Sequence, residues 1–288
     1  MNKLVLSIIP LLFLAACSSP EFSANRQDEL AQTDAVFAQI ERNAIAEQIQ
    51  PLFDIDHSRM AEKSGEVLDA SRVAFYTSPK LNSQLLQGEI RVGLDLPYRV
   101  QAYYQNGELK VRYTDVQYLK IRHGVEDSTV LARVDGEINK LVVDLPNAVP
   151  VSHEGLQKDY GIVELVSEYA FAETVDRLKA AILAEGDTVW FQDIDYQQQA
   201  LDFDIEIPRT MLLVFGAPGP GAKAMRDYPS IGLDAFGQKV LVYEQNGKVN
   251  VIYNDIPAFA ELHYADSAIV HKVIKFRLNS TLSSAIED

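Results

Sequence analysis

Arg99 to His123 reads RVQAYYQNGELKVRYTDVQYLKIRH, and Lys239 to His263 reads KVLVYEQNGKVNVIYNDIPAFAELH. Set at an offset of 140, they share nine of 25 positions: Val100, Tyr103, Gln105, Asn106, Gly107, Val111, Tyr113, Asp115 and His123. Upstream, Gly93-Leu94-Asp95 matches Gly232-Leu233-Asp234, and Asp54-Ile55-Asp56 matches Asp193-Ile194-Asp195. A self-similarity of this period is too long for a solenoid and indicates two tandem domains. The chain of 288 residues has room for two of them.

Each copy can be read locally. Asn106-Gly107 and Asn246-Gly247 lie between runs rich in valine and tyrosine, a strong signal for a two-residue hairpin turn. Val240–Tyr243 and Val249–Tyr253 are then paired strands. Asp115 and Asp255 stand where a helix N-cap belongs, and Pro257 suits a first turn. Glu173 to Glu185 sets Val175, Leu178 and Ile182 on one helical face, stopped by Gly186. Trp190-Phe191 and Met211 to Phe215 read as strands. Val130, Val134, Ile138 and Leu141 keep helical spacing, so the last element of both copies is expected to be helical. The expected unit is β-α-β4-α, an α+β fold with helices on an antiparallel sheet. The domains are placed at 28–143 and 159–288, with 144–158, which holds two prolines, as linker. The second copy opens near Tyr160, so the first should open near Pro20. Glu21 to Leu30 is polar with no strand pattern. Either the first copy lacks its opening strand, or Leu141-Val142-Val143 or a neighbouring segment replaces it.

Ile55-Asp56-His57, Pro79-Lys80, Gly93 to Pro97, Tyr113-x-Asp115 and Arg122-His123-Gly124 resemble the family called domain of unknown function 302. So do Phe215-Gly-Ala-Pro218 and Tyr253 to Pro257 in the second copy. The resemblance implies a fold like half of the TATA-binding protein, repeated, and implies no activity. The second copy departs from the pattern at Tyr196, where the family has histidine, and at Leu262, where it has arginine.

The N-terminus carries an address. Met1-Asn2-Lys3 is a short basic start, and Leu4 to Ala16 is a mostly apolar run too short to span a bilayer. Residues 1–16 are therefore read as a signal peptide. Leu14-Ala15-Ala16-Cys17 resembles the bacterial lipobox, which implies a lipoprotein with palmitate-type acyl chains on Cys17, the one cysteine of the chain. Several acyl chains anchor stably without a transmembrane helix. Ser18, rather than aspartate, implies by resemblance to Gram-negative sorting patterns the outer membrane, on its periplasmic face. Residues 17–27 are expected to be anchor and tether.

Composition narrows the function. With 26 Lys+Arg against 41 Asp+Glu, the net charge of −15 leaves no basic stripe for a nucleic-acid backbone. One cysteine excludes intramolecular disulfides and thiolate zinc clusters. His153-Glu154 begins a zinc-protease motif, but Gln157 stands where its second histidine belongs. Gly216 to Lys223 mimics a phosphate loop, yet Pro218 and Pro220 remove amides and no Ser or Thr follows the lysine, so it reads as a turn.

One constellation is left: His57, Tyr113, Asp115 and His123, with Tyr196, Tyr253, Asp255 and His263 at the second-repeat positions. A hydroxyl, a carboxylate and imidazoles could hold a ligand or metal, or move a proton. Each also has a structural reading: N-cap for Asp115, half-buried sheet residue for Tyr113, helix C-terminus for His123. The favoured function is a non-catalytic ligand-binding or interaction module, with a small molecule or protein partner between the copies. The alternative is a metal-handling protein or enzyme using the first copy's histidines. Apart from the covalent lipid on Cys17, the sequence leaves cofactor and metal open, and binding is expected chiefly on the first copy.

Overall fold

The computed structural model describes residues 20–234 and 237–287. Residues 1–16, read from sequence as a signal peptide, and Cys17 lie outside the described residues. The first repeat runs α1 (Pro20–Glu47), β1 (Gln50–Asp56), α2 (His57–Lys63), β2 (Ser71–Thr77), α3 (Pro79–Gly88), a 3-10 turn η1 (Ile90–Leu94), β3 (Tyr98–Gln105), β4 (Glu108–Tyr113), α4 (Val116–His123), α5 (Ser128–Val142) and β5 (Ala148–Pro150). The second runs β6 (Ile162–Ser167), α6 (Phe171–Ala184), β7 (Val189–Asp195), α7 (Tyr196–Leu201), β8 (Thr210–Gly216), α8 (Pro218–Met225), η2 (Pro229–Leu233), β9 (Gln238–Gln245), β10 (Lys248–Asn254), α9 (Ile256–Tyr264) and α10 (Ile269–Ile286). Each builds a five-stranded sheet, ordered β1-β2-β3-β4-β5 and β6-β10-β9-β8-β7. The fold is α+β, two sheets each with long helices on one face.

Asn106 and Asn246 adopt φ of 55° and 53°, and Gly107 and Gly247 φ of 75° and 74°, the double left-handed geometry that closes a two-residue hairpin. Both copies carry an irregularity at the same place in their first hairpin, between Pro51 and Phe53 and between Trp190 and Gln192. The second repeat has the expected β-α-β4-α order, with short helices inserted. The first departs from it. The stretch that would form its opening strand contains Ser23-Ala-Asn-Arg-Gln-Asp28, with no aromatic or β-branched residue to face a core, and it continues α1 instead. The first turns of α1 thus occupy residues 20–27, read from sequence as tether. The vacated sheet edge is taken by a neighbouring segment, as the second alternative required. β5 lies beside β4 in parallel, whereas β6 lies beside β10 antiparallel. It falls within 144–158, the stretch read as linker. The turn expected at Gly216–Lys223 is also corrected. Residues 218–225 form α8, because proline's fixed φ suits a first turn whose amides need no helical partner.

Strand alternation divides each sheet into two faces. On the outer face of the first, Ala74, Tyr76, Val100 and Ala102 pack against Val36, Phe37, Ile40 and Ala44 of α1 and Leu141 of α5. On the second, Leu213, Phe215, Val240 and Val242 pack against Leu178 and Ile182 of α6 and Leu278 and Leu282 of α10. The inner faces share a third and larger cluster that joins Val73, Phe75 and Leu94 to Leu212, Val214, Leu233 and Leu241. The contacts are reciprocal: η1 packs on β8, β9 and β10, and η2 on β2, β3 and β4. Likewise α2 meets α8 and α3 meets α7. The repeats are therefore one body around a pseudo-twofold seam. Among the described residues no helix is long and apolar enough to cross a membrane.

Candidate functional site at the seam of the repeats

Polar groups on the inner faces meet in the middle of this seam. Asp95 and Asp234 cap the C-terminal ends of η1 and η2. Arg99 and Lys239 are the first inward-facing charges of β3 and β9, and Arg122-His123 ends α4. Arg99 Nη2 donates to Asp95 Oδ1 at 3.0 Å, to Asp234 Oδ1 at 3.2 Å and to Thr114 Oγ1 at 3.1 Å. Asp95 Oδ2 accepts from Arg122 Nη1 and, at 2.7 Å, from His123 Nε2. Lys239 Nζ lies 3.5 Å from Asp95 Oδ1. Arg122 Nη2 donates across the seam to Asn254 Oδ1 at 2.8 Å, and Asn254 Nδ2 to the Asp234 carbonyl at 3.1 Å. His263 Nε2 reaches Asp234 Oδ2 at 3.1 Å. The side chains of Asp95, Asp234, Arg99, Arg122 and His123 have no exposure.

Three permanent cations thus face two carboxylates out of water. Burial pushes the Asp95 carboxyl up, but Arg122, the His123 hydrogen bond and Arg99 overcome it and hold the group well below the usual carboxylate range. Burial lowers His123, and with Arg122 it outweighs the hydrogen bond and charge of Asp95, which raise it, so the ring is neutral at neutral pH. Because ionised Asp95 can only accept, His123 carries its proton on Nε2. Arg99 Nε and Nη1 find no hydrogen-bond partner among the described residues, so Nη2 makes all of this guanidinium's bonds at the seam.

The four residues singled out from sequence do not converge. His57 Nδ1 pairs with Ser71 Oγ at 3.1 Å. Asp115 accepts from the Tyr118 amide at 2.9 Å, a true N-cap, and its Oδ1 also meets His153 Nε2 at 2.9 Å. Tyr113 is half-buried at the end of β4, and His123 belongs to Asp95. Among the described residues, no group of three or more His, Cys, Asp or Glu could hold a metal. In the second repeat, Tyr196 Oη donates to the Gly93 carbonyl at 3.2 Å, while His57 packs beside Gly232. Residues 57 and 196 therefore do the same job from opposite sides, each seated against the other repeat's η turn. Tyr253 lies in the outer core, its hydroxyl on Asn279 Oδ1 at 2.7 Å. Asp255 is not a side-chain cap: Pro257 removes an amide of the first turn, and Lys275 Nζ takes the carboxylate at 2.6 Å.

Beside the network, where β3 and β4 of one repeat meet η2 and α9 of the other, lies a cleft of about 210 Å³. Tyr103, Lys110, Arg112, Ser152, Ser230 and His263 are among its walls, so both repeats build it. His263 links it to Asp234. Sequence reasoning missed Asp95, Asp234, Arg99, Lys239, Lys110 and Arg112. The signal was present: the aspartates are identical in both copies, and Arg99 and Lys239 are basic residues at matching positions early in strands rich in valine and tyrosine.

The family described as "Domain of unknown function DUF302" matches residues 27–144 and 163–285. The chain belongs to this family, in two copies. It is also 32% identical over 105 residues to "Fluoride-specific ion channel FluC 1" of Brucella suis biovar 1, covering 36% of this chain and 41% of that protein. The same identity and length hold for "Fluoride-specific ion channel FluC 2" of Brucella melitensis biotype 1, of which 38% is covered. The chain thus spans about two fifths of the length of these relatives. A solved structure titled "Crystal structure of uncharacterized conserved protein DUF302 from Bacillus stearothermophilus" is similar with a TM-score of 0.38 and 14% identity, covering 44% of this chain and 98% of that one.

Proposed function

We propose that this tandem member of the DUF302 family is a lipoprotein of the outer membrane, facing the periplasm, that binds a ligand without transforming it. Lipid anchoring rests on Leu14 to Cys17 behind a signal-like run. Binding rests on one observation: the polar cleft is built jointly by both repeats, while the histidines and carboxylates that could do chemistry are committed to structural partners. A rigid network behind a shared cleft is what a binding module needs, because pre-ordered groups lose little entropy when a ligand arrives. A binder stabilises the folded chain according to its concentration over Kd. Thermal shifts of the soluble chain against small metabolites, peptides and ions are expected to reveal one, and fluoride belongs in the set because it appears in the Brucella relatives' name. Turnover of a panel compound without stoichiometric binding would contradict this reading. Cys17→Ser is expected to abolish incorporation of labelled palmitate and to release the chain or stall it as the uncleaved precursor. Retained label would remove the anchor from the account.

A further inference from the structure

We propose that the cleft binds a small ligand through a carboxylate or phosphate group, with Arg112 as its principal partner and Lys110 as the second cation. The inference rests on the binding reading above and names its chemical class.

The pseudo-twofold provides an internal comparison. Ser230 corresponds to Arg91, because Gly232 corresponds to Gly93. On the far side of the seam, Arg91 lies close to Tyr243 and is neutralised by Glu164 at 2.8 Å and Asp159 at 3.3 Å. That position is self-contained. On the cleft side, the corresponding strand tyrosine, Tyr103, has Ser230 in place of the arginine. The cations come instead from β4, where Lys110 and Arg112 replace Asn250 and Ile252. Two apart on one strand, they share a face, opposite Tyr103 and Gln101 in the hairpin register.

No aspartate or glutamate lines this cleft. Arg112 Nη1 donates to the Val111 carbonyl at 2.9 Å, which leaves the fork of a planar guanidinium without a carboxylate. Lys110 has Glu108 at 3.9 Å, and that glutamate side chain is 77% exposed, so the pair is weak. In a chain of net charge −15, a jointly built cleft whose fixed charges are all positive lacks its counter-charge. An incoming oxyanion would supply what Glu164 and Asp159 supply on the other side. Burial pushes the Tyr103 hydroxyl up to about 12, so it stays protonated beside the cations.

The test is a titration of the soluble, isotope-labelled chain with succinate and with inorganic phosphate, followed by amide NMR. The expected result is saturable shifts at Lys110, Arg112, Ser152 and Ser230, weakening as salt is raised. The tighter of the two anions identifies the group. Arg112→Gln is expected to weaken binding about tenfold or more, with partial recovery in Arg112→Lys. Arg133→Gln, an equal change of charge on α5, is expected to leave binding unchanged. The spectra themselves show whether each variant is folded. Absence of saturable shifts at these amides with either anion, or equal affinity in Arg112→Gln, overturns the proposal. If an uncharged compound shifts the same amides while both anions do not, the anion inference falls and the binding reading stands.

Discussion

Asp95 holds the seam together at the scale of one residue. It accepts from Arg99, Arg122, His123 and, more distantly, Lys239, so removing its charge leaves buried cations uncompensated. Asp95→Asn is expected to destabilise the chain by about 3–5 kcal/mol in urea unfolding, if it folds at all. A loss below 1 kcal/mol would mean the network is dispensable. Its titration has a definite sign. His123 is depressed in the folded state, so below the unfolded value of about 6.5 the unfolded chain binds a proton that the folded chain refuses. Stability therefore falls as pH drops from about 7 toward 5, and His123→Gln is expected to flatten that slope. Asp95, also depressed, adds its loss only below its unfolded value of about 4. The caps differ as well. Asp115→Ala is expected to cost about 0.5–2 kcal/mol, while Asp255→Ala forfeits only a partly exposed pair with Lys275, about 0–1 kcal/mol. Equal losses would restore the symmetric cap reading.

At the scale of elements, most of the second repeat was legible. Asn-Gly hairpins and the 3.6-residue spacing of Val175, Leu178 and Ile182 are local signals, and local signals survive folding. The β5 strand was not legible, because Ala148-Val149-Pro150 is too short to show alternation and its pairing with β4 is set by the vacant edge. The reading of α8 as a turn failed because the missing amides of Pro218 and Pro220, which argue against a phosphate loop, cost a helix nothing when both prolines fall in its first turn. The η turns are the elements that lock the repeats. A methyl on Gly232 would stand 2.5 Å from both Gln101 Nε2 and Met225 Cε and 3.0 Å from His57 Cε1. Gly232→Ala is expected to cost about 1–3 kcal/mol from overpacking. Gly93→Ala meets leucine methyl groups at 3.0 Å and is expected to cost less. The reverse order in thermal unfolding would mean that η2 is the looser of the two contacts.

At the scale of the molecule, the duplication was visible in sequence but its consequence was not. Arg99 and Asp234 lie 135 residues apart, and nothing local reports that a charge in one copy will meet a charge in the other. Asymmetry between the copies was expected at His57 against Tyr196 and at Arg122 against Leu262; the first pair plays matching roles, whereas Arg122 bonds Asp95 and crosses the seam to Asn254, which a leucine cannot do. A further asymmetry falls on Lys110 and Arg112, which stand where the second copy has Asn250 and Ile252. The central claim is that the two repeats form one cooperative unit around the seam that carries the cleft. Differential scanning calorimetry of the purified chain tests it most directly. The account predicts a single transition whose calorimetric and van't Hoff enthalpies agree, displaced as a whole by Asp95→Asn. Two separable transitions, with only the first repeat's moved by that substitution, would contradict it.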